Sequence, residues 1–172
     1  MGEIVAERHL WALDVMNIAP SDRILEIGCG YGHMASLICS HLIEGRITAI
    51  DRSEKMIQAA KKRTAPFMSL DKVRFVTASI HEADLGTERF DKVFAVNVNV
   101  FWMKAERELA AIKQHLLPDG HVYLFIQPPA PGRLRTISDL MSHNLLEAGF
   151  TVSNVVVEPR HPVQMVCVIS KM

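Results

Sequence analysis

The chain has 172 residues, and its 19 lysines and arginines are balanced by 19 aspartates and glutamates. That length makes one domain over residues 1–172 the expectation, and the zero formal charge argues against an overall basic field for nucleic acid. The three cysteines, Cys29, Cys39 and Cys167, form no Cys-x-x-Cys pair, so reduced thiols and a cytoplasmic location are expected rather than a disulfide framework or a zinc site.

Neither a signal peptide nor a membrane-spanning stretch is evident. Residues 3–17 read as a helix, with Ile4, Trp11, Val15 and Ile18 on one face. Pro20-Ser21-Asp22 ends it. Residues 23–28 form an apolar strand that carries one acid, Glu26. Gly28, Gly30 and Gly32 follow at every second position, and a helical pattern runs over 32–43. Strand, glycine turn and helix form the opening unit of a nucleotide-binding α/β fold. Without Cβ atoms, the N–H groups of such a turn can approach a ligand closely.

Residues 46–50 form a second strand that ends at Asp51. Ser53 is a suitable N-cap for the next helix, which carries Met56, Ile57, Ala59 and Ala60. Its basic end, Lys61-Lys62-Arg63, reads as a solvated C-terminus, and Pro66 breaks the pattern. Strands are predicted over 72–77 and 90–97, with a polar loop over 79–88 between them. An amphipathic helix over 103–117 is closed by Leu117-Pro118-Asp119-Gly120. A fifth strand over 121–127 meets the proline-rich loop 128–132, which cannot continue it. A helix over 136–148 and two apolar strands, 150–157 and 163–169, complete the chain. The gap between those strands, Glu158-Pro159-Arg160-His161-Pro162, is too short for a helical crossover, so they pair antiparallel.

The expected fold class is therefore α/β. It is Rossmann-like and doubly wound, with a mostly parallel seven-stranded sheet and an antiparallel C-terminal strand. Right-handed crossovers bring the C-terminal ends of the first four strands to one edge, where such folds bind ligands.

Over nearly its whole length the chain resembles the class I S-adenosylmethionine-dependent methyltransferases. Leu25-Glu26-Ile27-Gly28-Cys29-Gly30-Tyr31-Gly32 resembles the family's first motif, and Asp51 its acid at the end of strand two. Phe90-Asp91-Lys92-Val93-Phe94-Ala95 resembles the fourth-strand signature. Leu116-Leu117-Pro118-Asp119-Gly120-His121-Val122 resembles the approach to strand five. A dinucleotide fingerprint would have glycine at position 33; the chain has His33, which argues against a nicotinamide oxidoreductase.

The resemblance implies S-adenosyl-L-methionine as cofactor and assigns roles residue by residue. Glu26 lies near the cofactor's ammonium, within a turn made by Gly28, Cys29, Gly30 and Gly32. Asp51 accepts from the ribose hydroxyls, an arrangement suited to a carboxylate. Arg52 and Met56 flank the adenosine. Ser79 stands where the family commonly has an Asp for the adenine amine, and Ile80 offers its N–H to the ring. Asn97 presents a main-chain carbonyl to the ammonium, with Val98 beside it. Asn99, Trp102 and Gln127 face the substrate. The N-terminal helix, residues 1–20, folds over the pocket and brings Trp11 to it.

No catalytic residue is assigned. Methyl transfer is an in-line displacement that positioning and water exclusion can drive, and a base is needed only if the acceptor must lose a proton. His9, His33 and His81 have no motif and read as surface or helix-end residues. The His-Asp-metal arrangement of catechol methyltransferases is not recognisable, so no metal is expected. The expected function is methyl transfer to a small-molecule acceptor, with no nucleic-acid partner and no membrane. The alternative is a non-catalytic module of the same fold that senses cofactor or binds a partner. With little room for a lid, a homodimer could cover the pocket.

Overall fold

The computed structural model describes residues 7–128, 130, 132–158 and 164–172. Outside it fall residues 3–6 of the expected first helix, Pro129 and Pro131 of the proline-rich loop, and residues 159–163, with the expected turn and the start of the last strand. The strands are β1 (Arg23–Ile27), β2 (Arg46–Asp51), β3 (Val73–Thr77), β4 (Phe90–Val96), β5 (Leu116–Ile126), β6 (Thr151–Val157) and β7 (Val166–Lys171). They form one sheet in the order β3-β2-β1-β4-β5-β7-β6. The first five run parallel, and β7 lies antiparallel between β5 and β6. The sheet is the Rossmann-like one expected.

Alternation along β1 builds two cores. Leu25 and Ile27 join a cluster with Ile50, Val93, Leu124, Ile137 and Met141. Ile24 joins the opposite cluster with Ile47, Phe94, Phe125, Met34 and Ile38. Strands covered on both faces read as continuous apolar runs, which is why β1 and β2 are so plain in the sequence. Helices α1 (Glu7–Met16), α2 (His33–His41) and α3 (Glu54–Arg63) contribute to the second cluster, and α5 (Glu106–His115) and α6 (Leu134–Glu147) to the first.

Several boundaries differ from expectation. Pro66 does not simply break the pattern; it sits in the first turn of a short helix, α4 (Ala65–Met68), where its missing N–H costs nothing. The predicted 103–117 helix is shorter, and residues Asn99–Trp102 form a separate 3-10 turn before it. The segment Leu117-Pro118-Asp119-Gly120 is not a helix stop. Phe90 pairs with Leu116 and Lys92 with His121, so these residues bulge out of β5. In α1 the deepest residues are Ala12 and Met16, with Trp11, Val15 and Ile18 flanking them. The apolar strand β6 is the sheet's edge, and most of it is exposed.

Candidate active site

A cleft of about 630 Å³ opens where β1, β2, β3 and β4 end. The register places these ends level, with Ile27 beside Ile50 and Ala95, and Asp51 beside Thr77. The chain leaves β1 through Gly28, whose N–H donates to the Ile50 carbonyl at 2.8 Å; the Cys29 N–H donates to the same oxygen at 3.0 Å. All three glycines of the turn have positive φ, at 74°, 51° and 75°.

Their missing side chains serve three different ends. A Cβ on Gly28 would meet Val98 Cγ2 at 2.6 Å. On Gly32 it would meet Cβ and Cα of Ala60, on α3, at 2.8 and 2.9 Å. On Gly30 it would meet nothing within 4 Å. The first glycine therefore admits the loop after β4, the third lets α2 and α3 touch, and the middle one keeps space open.

Asp51 ties this turn to the next. Its Oδ2 accepts from the Gly30 N–H and its Oδ1 from the Ser53 N–H, both at 2.9 Å. Each oxygen keeps lone-pair capacity for a ligand. Ser53 caps α3 by accepting from Met56 N–H at 3.4 Å. On the other side, Asn97 takes a positive φ of 58°. Its N–H donates to the Phe125 carbonyl at 2.9 Å, and its Oδ1 accepts from the Gln127 N–H at 2.8 Å. Asn tolerates this left-handed conformation better than most residues, and here it locks β4 to the end of β5.

Glu26 lies behind the turn at 3% exposure. The Ala35 N–H donates to its carboxyl group, while its Oε2 has no partner. Burial, and then the charge of Asp51, push its pKa up to about 8. Buried polar atoms are normally paired, so an orphaned oxygen beside a ligand-sized cleft calls for a donor.

Of the residues picked from the sequence, Gly28, Asp51, Arg52, Ser79, Ile80, Asn97, Val98 and Asn99 line the cleft. Others lie elsewhere. Gly30 and Glu26 belong to the turn and its backing. Gly32 packs on α3, and Met56 sits in the first turn of that helix. The side chain of Cys29 is buried in the second core, which pushes its thiol up, and its Sγ donates to the Gly30 carbonyl at 3.9 Å, inside the turn rather than toward the cleft. Trp11 is not at the cleft: it packs edge-on to Phe125 at 5.7 Å, and no described residue of α1 lines the opening. Trp102 is half-buried against the first core, its Nε1 donating to Asn99 Oδ1 at 3.3 Å. Gln127 meets the site through its backbone N–H on Asn97.

Part of the wall has no signature in the sequence. His81 and Glu108 both line the cleft, with Nδ1 and Oε1 3.2 Å apart, and Val100, Met103 and Lys104 extend it. His81 and Glu108 come from separate elements with no local motif between them. Only the crossing of the β3 loop against the start of α5 joins them.

A model of the methyltransferase domain family matches residues 24–120, more than half of the chain. The chain belongs to the class I S-adenosylmethionine-dependent methyltransferases. It is 26% identical over 165 residues to the methyltransferase YdaC of Bacillus subtilis, spanning 94% of this chain and 89% of that one. It is 35% identical over 98 residues to a malonyl-acyl-carrier-protein O-methyltransferase of Priestia megaterium, spanning 56% of this chain but only 34% of that relative. In fold it is similar to a methyltransferase structure from Aquifex aeolicus, with a TM-score of 0.78, 17% identity and coverage of 94% and 88%. The protein is thus a methyltransferase enzyme, and S-adenosylmethionine is its cofactor.

The residues present fit that cofactor. An unpartnered acid oxygen awaits a cation at Glu26, a carboxylate with free lone pairs stands at the end of β2, and the space beside Gly30 is clear. Among the described residues no three metal-ligating side chains gather, and no helix is long and apolar enough to cross a membrane.

Proposed function

We propose that this methyltransferase acts on a small-molecule acceptor, bound beside Asn97 and Asn99. The observation that carries the reading is the neutrality of that stretch of rim. Asn97, Val98, Asn99 and Val100 offer amide and apolar contacts, and the cleft's lysine and arginine, Lys104 and Arg52, stand outside that stretch. The balanced charge of the whole chain supports the same reading.

In this proposal Glu26 holds the cofactor's ammonium, and the open space at Gly30 lets the amino-acid end approach the backbone. Asp51 accepts from the ribose hydroxyls while keeping its own hold on Gly30 and Ser53. Bound S-adenosylmethionine supplies a methyl group already activated on a sulfonium. The chain's task is then to hold the acceptor in line and to keep water away. Asn97, fixed by Phe125 and Gln127, gives that end of the cleft a rigid wall.

Isotope-labelled S-adenosylmethionine tests the reading. The labelled cofactor is incubated with the protein and a cell extract, which is then split into a small-molecule filtrate, protein and nucleic acid. Label is expected in the filtrate. Label confined to protein or nucleic acid overturns the acceptor class.

A further inference from the structure

The order of the strands gives the direction in which the cofactor lies, on the site reading just proposed. Along the edge the order is β3-β2-β1-β4. Glu26 belongs to β1 and Asp51 ends β2. A ligand with its ammonium at Glu26 and its ribose at Asp51 carries its purine onward to the end of β3. There the cleft is walled by Ser79, Ile80 and His81, and by Glu108 from α5.

Ser79 has one hydroxyl proton, and it is already committed. Its Oγ donates to the carboxylate of Glu82. The Glu82 N–H donates back to the Ser79 carbonyl at 3.0 Å, which closes the turn from both sides. An ionised carboxylate only accepts, so the hydroxyl cannot reverse its direction. The hydrogen bond from Ser79, and then the charge of His81, hold Glu82 below the usual carboxylate range. What the Ser79 hydroxyl has left for the cleft is lone pairs alone. Adenine presents an amine at its exocyclic position, which needs an acceptor; hypoxanthine presents a carbonyl there, which a lone pair repels.

We propose that Glu82, which does not itself line the cleft, is a positioning residue that makes Ser79 an acceptor-only reader of the cofactor's adenine amine. The exposed acid supplies the charge and Ser79 the contact.

The experiment compares two ligands by calorimetry on the full chain: S-adenosylhomocysteine, and S-inosylhomocysteine, in which hypoxanthine replaces adenine. The wild type favours the adenine form by about tenfold or more, as one neutral-to-strong hydrogen bond and its reversal imply. Glu82→Ala frees the hydroxyl to turn, and the preference falls by about five- to tenfold. Ser79→Ala lowers it by the same factor, and the double variant S79A/E82A lowers it no further. Ser79→Asp in the Glu82→Ala background restores it. A merely structural role for Glu82 would weaken both ligands alike and leave the ratio in place, which overturns the proposal. Loss of the preference in Glu108→Gln, with Glu82→Ala unchanged, overturns it too by moving the reader to Glu108. Failure of the wild type to bind S-adenosylhomocysteine overturns the placement of the cofactor itself, whereas an unchanged ratio overturns the role of Glu82 alone.

Discussion

Replacing Glu26 with Gln separates two demands made on one buried acid. In the ligand-free protein, burial and the charge of Asp51 raise its carboxyl to about 8. At pH 7 the group is therefore about nine-tenths protonated, one unit below its pKa. An ammonium beside it requires the carboxylate, so a proton must leave on binding, which costs about 1.4 kcal/mol at that pH. Binding of S-adenosylhomocysteine at pH 7 then releases between about 0.7 and 0.9 proton, after the small uptake by the ligand's own amine. Affinity rises by up to about tenfold per pH unit from pH 6 toward 8. Above about pH 8 the gain stops, because Glu26 is then already ionised in the ligand-free protein. Calorimetry in buffers of different ionisation enthalpy reads the proton count directly. Glu26→Gln abolishes the release, flattens the pH profile and weakens binding by about ten- to hundredfold, the loss of a charged hydrogen bond.

The same substitution acts on stability with the opposite sign. A carboxyl raised from 4.5 to about 8 in the fold binds more protons folded than unfolded throughout that window. Ligand-free stability is therefore highest below 4.5 and is lost progressively as the pH rises to about 8, by a few kcal/mol. Ligand-free Glu26→Gln lacks this loss, so its melting temperature exceeds that of the wild type at pH 8 and the difference shrinks at pH 5. Ligand binding that is independent of pH, releases no proton and survives Glu26→Gln would refute the reasoning outright.

The glycine turn gives a paired test: Gly32→Ala forces a Cβ onto Ala60 and a left-handed residue into the turn, and melting loses about 2–5 kcal/mol. Gly30→Ala meets no neighbour, so it costs only about 1–2 kcal/mol of backbone strain yet still weakens S-adenosylhomocysteine binding. Asp51→Ala removes two backbone hydrogen bonds together with the proposed ribose contact, and calorimetry shows affinity falling more than about tenfold, or 1.4 kcal/mol. Asn97→Ala leaves the Gln127 N–H without its acceptor and puts alanine at a φ of 58°; denaturant unfolding shows a loss of about 2–3 kcal/mol.

The parts of the site that were legible in the sequence are those whose cause is local. An apolar run broken by glycines, an acid at the end of the next strand and a capping Ser53 each carry their reason within a few residues. What was not legible arises where distant segments meet. Gly32 looks like a pocket residue from its spacing, yet its missing Cβ answers to Ala60 on another helix. Leu117-Pro118-Asp119-Gly120 has the composition of a helix stop, but the pairing of Phe90 with Leu116 draws it into a strand as a bulge. Trp11 has the chemistry of a substrate wall, and packing against Phe125 takes it away from the cleft, whereas Trp102, half-buried against the first core, meets the wall through Asn99. His81 and Glu108 become neighbours only when the β3 loop crosses the start of α5. This asymmetry follows from how the cleft is made. The proposed cofactor half uses backbone turns and strand ends, which short motifs encode. The acceptor half depends on which side chains the surrounding loops bring together, and a substrate is therefore better sought from the wall beside Asn97 and Asn99 than from any single motif.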